Sequence, residues 1–138
     1  MKVKLQDIEA AYDFVSFGSY GDHSALLDKA TGQIHWHSES GDLDEMPEEM
    51  LESEDAISIP HKKELGLDNQ LVFEFMRSRH PDDYANVRDM FNGRGAYARY
   101  KRFLESKGIL QEWYDFEKEA QDKAIRDWCK DNEIELDG

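Results

Sequence analysis

Residues 91–103 read Phe-Asn-Gly-Arg-Gly-Ala-Tyr-Ala-Arg-Tyr-Lys-Arg-Phe, and the residues after the second glycine have the spacing of a short helix. At about 100° per residue, Arg99 and Arg102 fall near one face of that helix, and the apolar side chains fall on the opposite face. The apolar group consists of Tyr97, Tyr100, Phe103 and Leu104. No acid occurs from Gly93 to Leu104, although the chain has a net charge of −14. This segment therefore differs in charge from the rest of the chain.

Two interpretations of this segment are open. In the structural one, the glycines end one helix and begin the next, the aromatic residues pack into a core, and Lys101 pairs with Glu105 one turn later. In the functional one, exposed N–H groups at the helix start and nearby bases form a site for an anion or a partner. That site consists of Arg94, Gly95, Arg99, Lys101 and Arg102. The structural interpretation is favoured, because arginines near helix ends are common in ordinary domains.

The composition describes an acidic chain of 138 residues, long enough for one domain with its own core. Hydrophobic residues make up 39%, which is enough for folding although 35% of the residues are charged. The net charge of −14 and a pI near 4.6 argue against general affinity for nucleic acid or anionic membranes, because phosphate binding requires excess bases. A local basic face is not excluded by this argument.

The cellular compartment is predicted from cysteine usage and from the apolar segments. Cys129 is the only cysteine, so no internal disulfide forms and a reducing compartment is expected. The first residues lack the apolar run of a signal peptide, and no apolar stretch has the length of a membrane span. We therefore expect a cytoplasmic protein with no membrane partner.

The first part of the chain, residues 1–61, predicts one helix and an antiparallel sheet. Apolar residues recur at helical spacing from about residue 5 to Val15. A hairpin connection at residues 29–32 contains Gly32, which favours a positive φ. Three strands are predicted, over residues 24–28, 33–37 and 57–60.

The second part, residues 62–138, predicts an aromatic-rich helical bundle over about 68–131. Ile134 and Leu136 indicate one further edge strand. The predicted buried core consists of Phe75, Phe91, Phe103, Trp113, Phe116 and Trp128. Because the strand signals precede the helical ones, the fold class is α+β, a small antiparallel sheet followed by a helical bundle, in a single domain over residues 1–138.

An acidic insert covers residues 38–55 and contains nine acids and no base. A solvated loop with one helical turn near Pro47 is the preferred interpretation. The insert lacks the glycine and the spacing of an EF-hand, so calcium binding is not indicated. Mimicry of a nucleic-acid backbone and capture of a basic partner both stay open.

Few side chains indicate chemistry. No P-loop, dinucleotide fingerprint or Gly-x-Ser-x-Gly motif occurs, and no cofactor is expected. His35 and His37 would lie on one face of a strand, where two metal ligands fit, but a third ligand would have to come from His23, His61 or an acid. Metal binding is therefore a weak hypothesis. Cys129 is expected to be a buried structural thiol.

Several motifs resemble a group of bacterial proteins classified only as an uncharacterised protein family. These motifs are Leu27-Asp28-Lys29-Ala30-Thr31-Gly32, Ile59-Pro60, the segment from Gly93 to Lys101, Trp113-Tyr114-Asp115-Phe116 and Trp128-Cys129. The resemblance spans most of the chain and implies a small cytoplasmic bacterial protein. It implies no activity, cofactor or catalytic residue.

Three functional hypotheses follow, in descending order. The first is a non-catalytic binding or regulatory domain whose partner is another protein. The second is a binder of anions or nucleic acid through the basic face at residues 94–102. The third is a metal-dependent enzyme that uses His35 and His37.

Overall fold

The computed structural model describes residues 2–17, 22–38 and 53–137. Two units are distinguished, Met1–Leu65 together with Ala124–Gly138, and Gly66–Lys123. The sequence predicts a division near residue 61, whereas in the structure the end of the chain also belongs with the first unit. The single domain over residues 1–138 stays a prediction. Most of the acidic insert, including the predicted turn near Pro47, lies outside the described residues.

The first unit begins with a two-residue strand β1 (Lys2–Val3) and a helix α1 (Leu5–Ser16). The helix forms where the sequence predicted it, since its apolar residues lie on one face. Ile8, Ala11, Tyr12 and Val15 are its buried residues. The Phe14 ring meets the Trp36 ring edge to face with 5.1 Å between centroids, so α1 packs on the sheet through aromatic side chains as well.

The sheet of the first unit is antiparallel and has the strand order β3-β2-β4. Its strands are β2 (His23–Asp28), β3 (Ile34–Ser38) and β4 (Ala56–Ser58). Gly32 has φ +83° in the β2–β3 hairpin, and its N–H donates to the Asp28 carbonyl at 2.7 Å. Glycine therefore occupies the position where the turn requires left-handed backbone. The predicted hairpin and third strand are confirmed.

The last strand, β5 (Glu135–Leu136), pairs with β1 in parallel. The sequence predicted an edge strand here, but the strand joins the start of the chain rather than the three-stranded sheet. The Asp137 N–H extends the pairing by donating to the Val3 carbonyl at 2.8 Å. The side chains that close the core of the first unit are mainly aliphatic, among them Val3, Ile8, Leu27, Ile125 and Ile134.

The second unit is helical, and no strand occurs within residues 81–130. Its elements are α2 (Asn69–Arg79), a 3-10 turn (Pro81–Asp83), α3 (Tyr84–Met90), α4 (Ala96–Ser106) and α5 (Leu110–Asp131), of which α5 continues into the first unit. Asp68 caps α2 by accepting a hydrogen bond from the Gln70 N–H at 3.4 Å. The helical bundle and the α+β class are confirmed. Among the described residues, no helix has the length and apolar character that a bilayer crossing requires.

An aromatic core holds the second unit together. Phe75, Tyr100 and Trp113 are almost completely buried, and the Trp113 ring lies 5.3 Å from each of the other two rings, between centroids. Leu71, Val72, Met76, Val87 and Leu104 complete the cluster. Edge-to-face contacts of this kind stabilise beyond the area they bury.

The predicted core is confirmed for Phe75 and Trp113, which are almost completely buried. Phe91, Phe103 and Phe116 pack against this core but are only half-buried, as is Trp128, and Tyr97 is exposed. In the last turns of α5, Ile125 and Cys129 are buried and Trp128 lies beside that stripe. The physical reason is that a helical stripe wider than the contact surface buries only its centre, and the large flanking rings keep part of their surface in water.

Candidate functional site around helices α4 and α5

The glycines of residues 93–95 surround the guanidinium group of Arg99. Arg99 Nη2 donates to the Met90 carbonyl at 3.0 Å, and Nη1 donates to the Arg94 carbonyl. Met90 is the last residue of α3, so Arg99 satisfies a carbonyl that has no partner within its own helix. Two of the five donors of Arg99 are therefore used within the protein. This part of the segment agrees with the structural interpretation.

Arg94 and Arg102 are exposed, and neither forms an ion pair with any described residue. Gly95 has φ +69° and precedes the first turn of α4, where backbone N–H groups lack helical acceptors. Within the predicted anion site, Arg99 therefore donates hydrogen bonds to backbone carbonyl groups of the protein. The N–H donors of Arg94 and Arg102 remain available for a ligand.

The sequence suggested an ion pair between Lys101 and Glu105, but the structure does not contain this pair. The Nζ atom of Lys101 lies 5.4 Å from the centroid of the Tyr97 ring and 5.3 Å from that of the Tyr114 ring. The pKa of Lys101 is raised, chiefly by a hydrogen bond with the Tyr114 side chain, so the ammonium is protonated at neutral pH. Tyr97 is 40% exposed and Tyr114 is 36% exposed. We call Tyr97, Lys101, Tyr114 and Glu117 the tyrosine–lysine face.

Hydrogen bonds fix the exposed Tyr97 ring. The Trp113 Nε1–H donates to the Tyr97 hydroxyl at 3.3 Å, and that hydroxyl donates to Glu117 Oε2 at 3.4 Å. The pKa of Tyr97 is raised because burial of the hydroxyl disfavours the phenolate, and the carboxylate of Glu117 adds to this effect. The ring is therefore neutral and anchored to a buried tryptophan.

The hydroxyl of Tyr100 is buried and has no hydrogen-bond partner among the described residues. Burial raises the pKa of this tyrosine, and the neighbouring Tyr97 and Glu117 raise it further. A buried hydroxyl without a hydrogen bond lowers the free energy of unfolding by about 1–3 kcal/mol, so the Tyr100 hydroxyl is expected to destabilise the second unit.

Sequence reasoning missed the pair of His80 and Glu112. The His80 Nε2–H donates to Glu112 Oε1 at 2.6 Å, and both side chains are partly buried. The contact joins the end of α2 to the first turn of α5, across 32 residues of sequence. The His80 ring also lies 5.5 Å from the Phe75 ring, between centroids. These contacts indicate a structural role, and no local pattern in the sequence indicates this pair.

The histidines of β3 lie on one face of the strand, as predicted. Trp36, on the other face, contacts Phe14 of α1, while His35 and His37 are half-buried opposite Leu26 and Ser24 of β2. Within residues 2–17, 22–38 and 53–137, no group of three His, Cys, Asp or Glu side chains is placed to hold a metal ion. The described part of the chain therefore adds no third ligand to His35 and His37.

Cys129 is buried and unpaired in a disulfide, so its predicted burial is confirmed. Burial raises the pKa of the thiol to about 11, partly offset by the charge of Arg126. The thiolate that reacts as a nucleophile or binds metal is thus scarce at neutral pH.

The fold and these contacts define an α+β protein with an aromatic helical unit and no recognised catalytic arrangement among the described residues. The model of the Uncharacterised protein family (UPF0158) matches residues 7–137, and the chain belongs to that family. The resemblance to an uncharacterised family is thereby confirmed. No curated protein and no solved structure matches the chain.

Proposed function

We propose that this protein is a non-catalytic binding domain of the bacterial cytoplasm, and that it recognises another protein through the tyrosine–lysine face. The observation that supports the proposal is the position of Lys101 between two exposed tyrosine rings. Tyrosine is enriched at the energetic centres of protein interfaces, because its ring offers a large apolar area and its hydroxyl a polar contact.

The fixed geometry of the face favours binding. Tyr97 is held by hydrogen bonds to Trp113 and Glu117, and Lys101 is held by its contacts with both rings. A surface whose side chains are already ordered loses less conformational entropy when a partner binds. The protonated Lys101 adds a charge that selects for an acceptor group on the partner.

The proposal is tested by affinity capture from nuclease-treated bacterial lysate with three proteins, the native chain, Tyr97→Ser/Tyr114→Ser and Phe17→Ser. Phe17→Ser is a matched control, because Phe17 is an aromatic residue with 72% exposure outside the face. A partner identified with the native chain is then titrated against each protein. We expect the double variant to lose more than about tenfold in affinity, because each hot-spot residue contributes about 2 kcal/mol or more. Equal affinity of all three proteins contradicts the proposal.

A second candidate function is the binding of an anion or nucleic acid through the basic segment. The observation that favours it is that Arg94 and Arg102 are exposed and form no ion pair with a described residue. Residues 76–107 contain eight bases and four acids, so this part of an acidic chain is locally positive. The large acid excess elsewhere opposes long-range attraction of phosphates, so we rank this function second.

Short RNA and DNA titrated at low ionic strength test the second candidate. The informative variant is Arg94→Glu/Arg102→Glu, because changing Arg99 would also remove the hydrogen bonds to Met90 and Arg94. If this function holds, the native chain binds, its affinity falls steeply with salt, and the variant does not bind. Binding by neither protein, or equally by both, contradicts it.

A further inference from the structure

Helices α2 and α3 carry the same pair of residue types at the same spacing. Phe73 is followed by Arg77 four residues later in α2, and Tyr84 is followed by Arg88 four residues later in α3. Residues four apart lie on the same face of a helix, so each helix presents one ring and one guanidinium together.

The two pairs cross between the helices. The Cζ atom of Arg88 lies 4.6 Å from the centroid of the Phe73 ring, and the Cζ atom of Arg77 lies 5.4 Å from that of Tyr84. The two rings lie 6.4 Å apart, between centroids, at an interplanar angle of 77°. Each arginine therefore lies over the ring of the other helix. We call Phe73, Arg77, Tyr84 and Arg88 the crossed arginine patch.

The guanidinium groups of this patch keep their hydrogen-bond donors available. A cation–π contact uses no hydrogen-bond acceptor, so the N–H donors of a guanidinium over a ring stay available for a carboxylate. Both arginines are exposed, and neither forms an ion pair with a described residue. Glu74 and Asp89 are the nearest acids along the two helices, yet neither guanidinium group pairs with them or with another residue that the structure describes.

We propose that the crossed arginine patch binds the carboxylates of an acidic segment of a partner protein. A planar guanidinium presents parallel N–H groups that match a carboxylate. The rings limit the freedom of both side chains, so less entropy is lost on binding. This proposal goes beyond the proposed function, because it concerns other residues and states the chemistry of the ligand.

The same contacts disfavour a single-stranded nucleic acid at this patch. Such ligands stack their bases on open aromatic faces, whereas Phe73 and Tyr84 already have guanidinium groups over their rings. Two arginines also neutralise few charges, while the net charge of the chain is −14 and repels a long polyanion. A short acidic peptide requires only a few local contacts.

The test is a titration of the full chain with a fluorescein-labelled peptide of glutamate–serine repeats, followed by fluorescence anisotropy. At about 0.1 M salt the Debye length is about 10 Å, so distant acids are screened while direct ion pairs persist. Arg77→Gln/Arg88→Gln is compared with Lys118→Gln/Lys130→Gln, which removes the same charge from two exposed lysines outside the patch. Arg77→Lys/Arg88→Lys keeps the charge and removes the planar fork. Far-UV circular dichroism checks the fold of each variant.

We expect the native chain and the lysine-to-glutamine control to bind alike, the arginine-to-glutamine variant to bind about tenfold more weakly, and the arginine-to-lysine variant to lie between them. Nitrogen-15 spectra of the native chain add a readout that needs no variant, since the Nε–H signals of Arg77 and Arg88 should shift on addition of peptide.

Three outcomes overturn the proposal: no binding by the native chain, equal weakening in both glutamine variants, or Nε–H signals that do not move. Binding of an oligouridine instead of the peptide, lost in the arginine variant, assigns the patch to nucleic acid. Tyr97→Ser/Tyr114→Ser should leave peptide binding unchanged, which separates this test from that of the tyrosine–lysine face.

Discussion

The two units of the chain are stabilised by different kinds of side chain and carry different charge. Gly66–Lys123 contains ten of the sixteen aromatic residues, and its ten bases nearly balance its eleven acids. The remainder of the chain has seven bases and twenty acids, and its core is mainly aliphatic. The acid excess of the protein therefore belongs almost entirely to the first unit.

Four of the ten bases of the helical unit lie over rings without a carboxylate partner, while Lys107 lies over the Phe103 ring and also pairs with Asp83. Arg77, Arg79, Arg88 and Lys101 each lie within 5.6 Å of a ring centroid and form no ion pair with a described residue. Cation–π contacts at exposed sites contribute about 0.5–1 kcal/mol each, and they leave the N–H donors available for a ligand. In the helical unit, therefore, aromatic residues form the core and also contact the charged side chains on the surface.

The largest expected effect concerns the tryptophans of α5. Trp113→Ala should lower the free energy of unfolding by about 3–5 kcal/mol, because Trp113 is 1% exposed and contacts Phe75, Tyr100 and Phe116. Trp128→Ala, at a half-buried position of the first unit, should cost only about 1–2 kcal/mol. Urea unfolding followed by circular dichroism measures both. If both variants lost the same free energy of unfolding, the second unit would not depend on its aromatic core more than the first unit depends on Trp128.

The sequence predicted what depends on local spacing and missed what depends on packing between elements. The helices, the hairpin and Cys129 follow from residues a few positions apart, and these predictions are confirmed. The prediction for Lys101 considered Glu105 on its own helix, whereas Tyr114 of α5 provides the actual contact.

The crossed arginine patch was also not predicted, because it depends on packing between two helices. Phe73 and Arg77 lie one helical turn apart, which the sequence shows, but the position of Arg88 over Phe73 depends on how α2 packs against α3. His80 and Glu112 are likewise brought together by packing. The predicted anion site could not be resolved from sequence, because nothing local shows that Arg99 bonds to the end of α3.

The next largest effect on stability is expected at the two glycines, Gly93 and Gly95, that connect α3 to α4 in the helical unit. Gly95→Ala should cost about 1–2 kcal/mol, because φ is +69° at this position. Gly93→Ala is the matched control, since a Cβ there would lie 3.4 Å from Arg99 Nη2, an ordinary contact with a flexible side chain. The control should be neutral or stabilising by less than about 1 kcal/mol. Thermal melting measures both, and the reverse order would contradict the backbone argument.

A smaller effect of opposite sign is expected inside the aromatic core. Tyr100→Phe should raise the free energy of unfolding by about 1 kcal/mol, because it removes a buried hydroxyl that has no partner among the described residues. Urea unfolding of the variant and the native chain provides the measurement. A loss of more than about 1 kcal/mol would show that the hydroxyl bonds to a bound water, so that the core is partly polar.

The smallest expected effect on stability is that of removing one acid of the first unit, Asp13 of α1. Partial burial of this carboxyl raises its pKa, so folding favours its protonated form. The contribution to stability is then fully present below the unfolded pKa of about 3.8 and is lost as pH rises through the folded pKa. At neutral pH, Asp13→Asn should therefore stabilise the protein, by less than about 0.5 kcal/mol because the side chain is largely exposed.

Asp7→Asn is the matched control, because it makes the same charge change on the same helix. Asp7 lies in the first turn of α1, where a negative charge interacts favourably with the helix dipole, so its removal should destabilise slightly. Unfolding in urea at pH 7 and at pH 3 measures both variants. The gain from Asp13→Asn should shrink at pH 3, where the native carboxyl is protonated. If both variants stabilise equally at pH 7, general repulsion among the acids of the first unit dominates over the position of each acid.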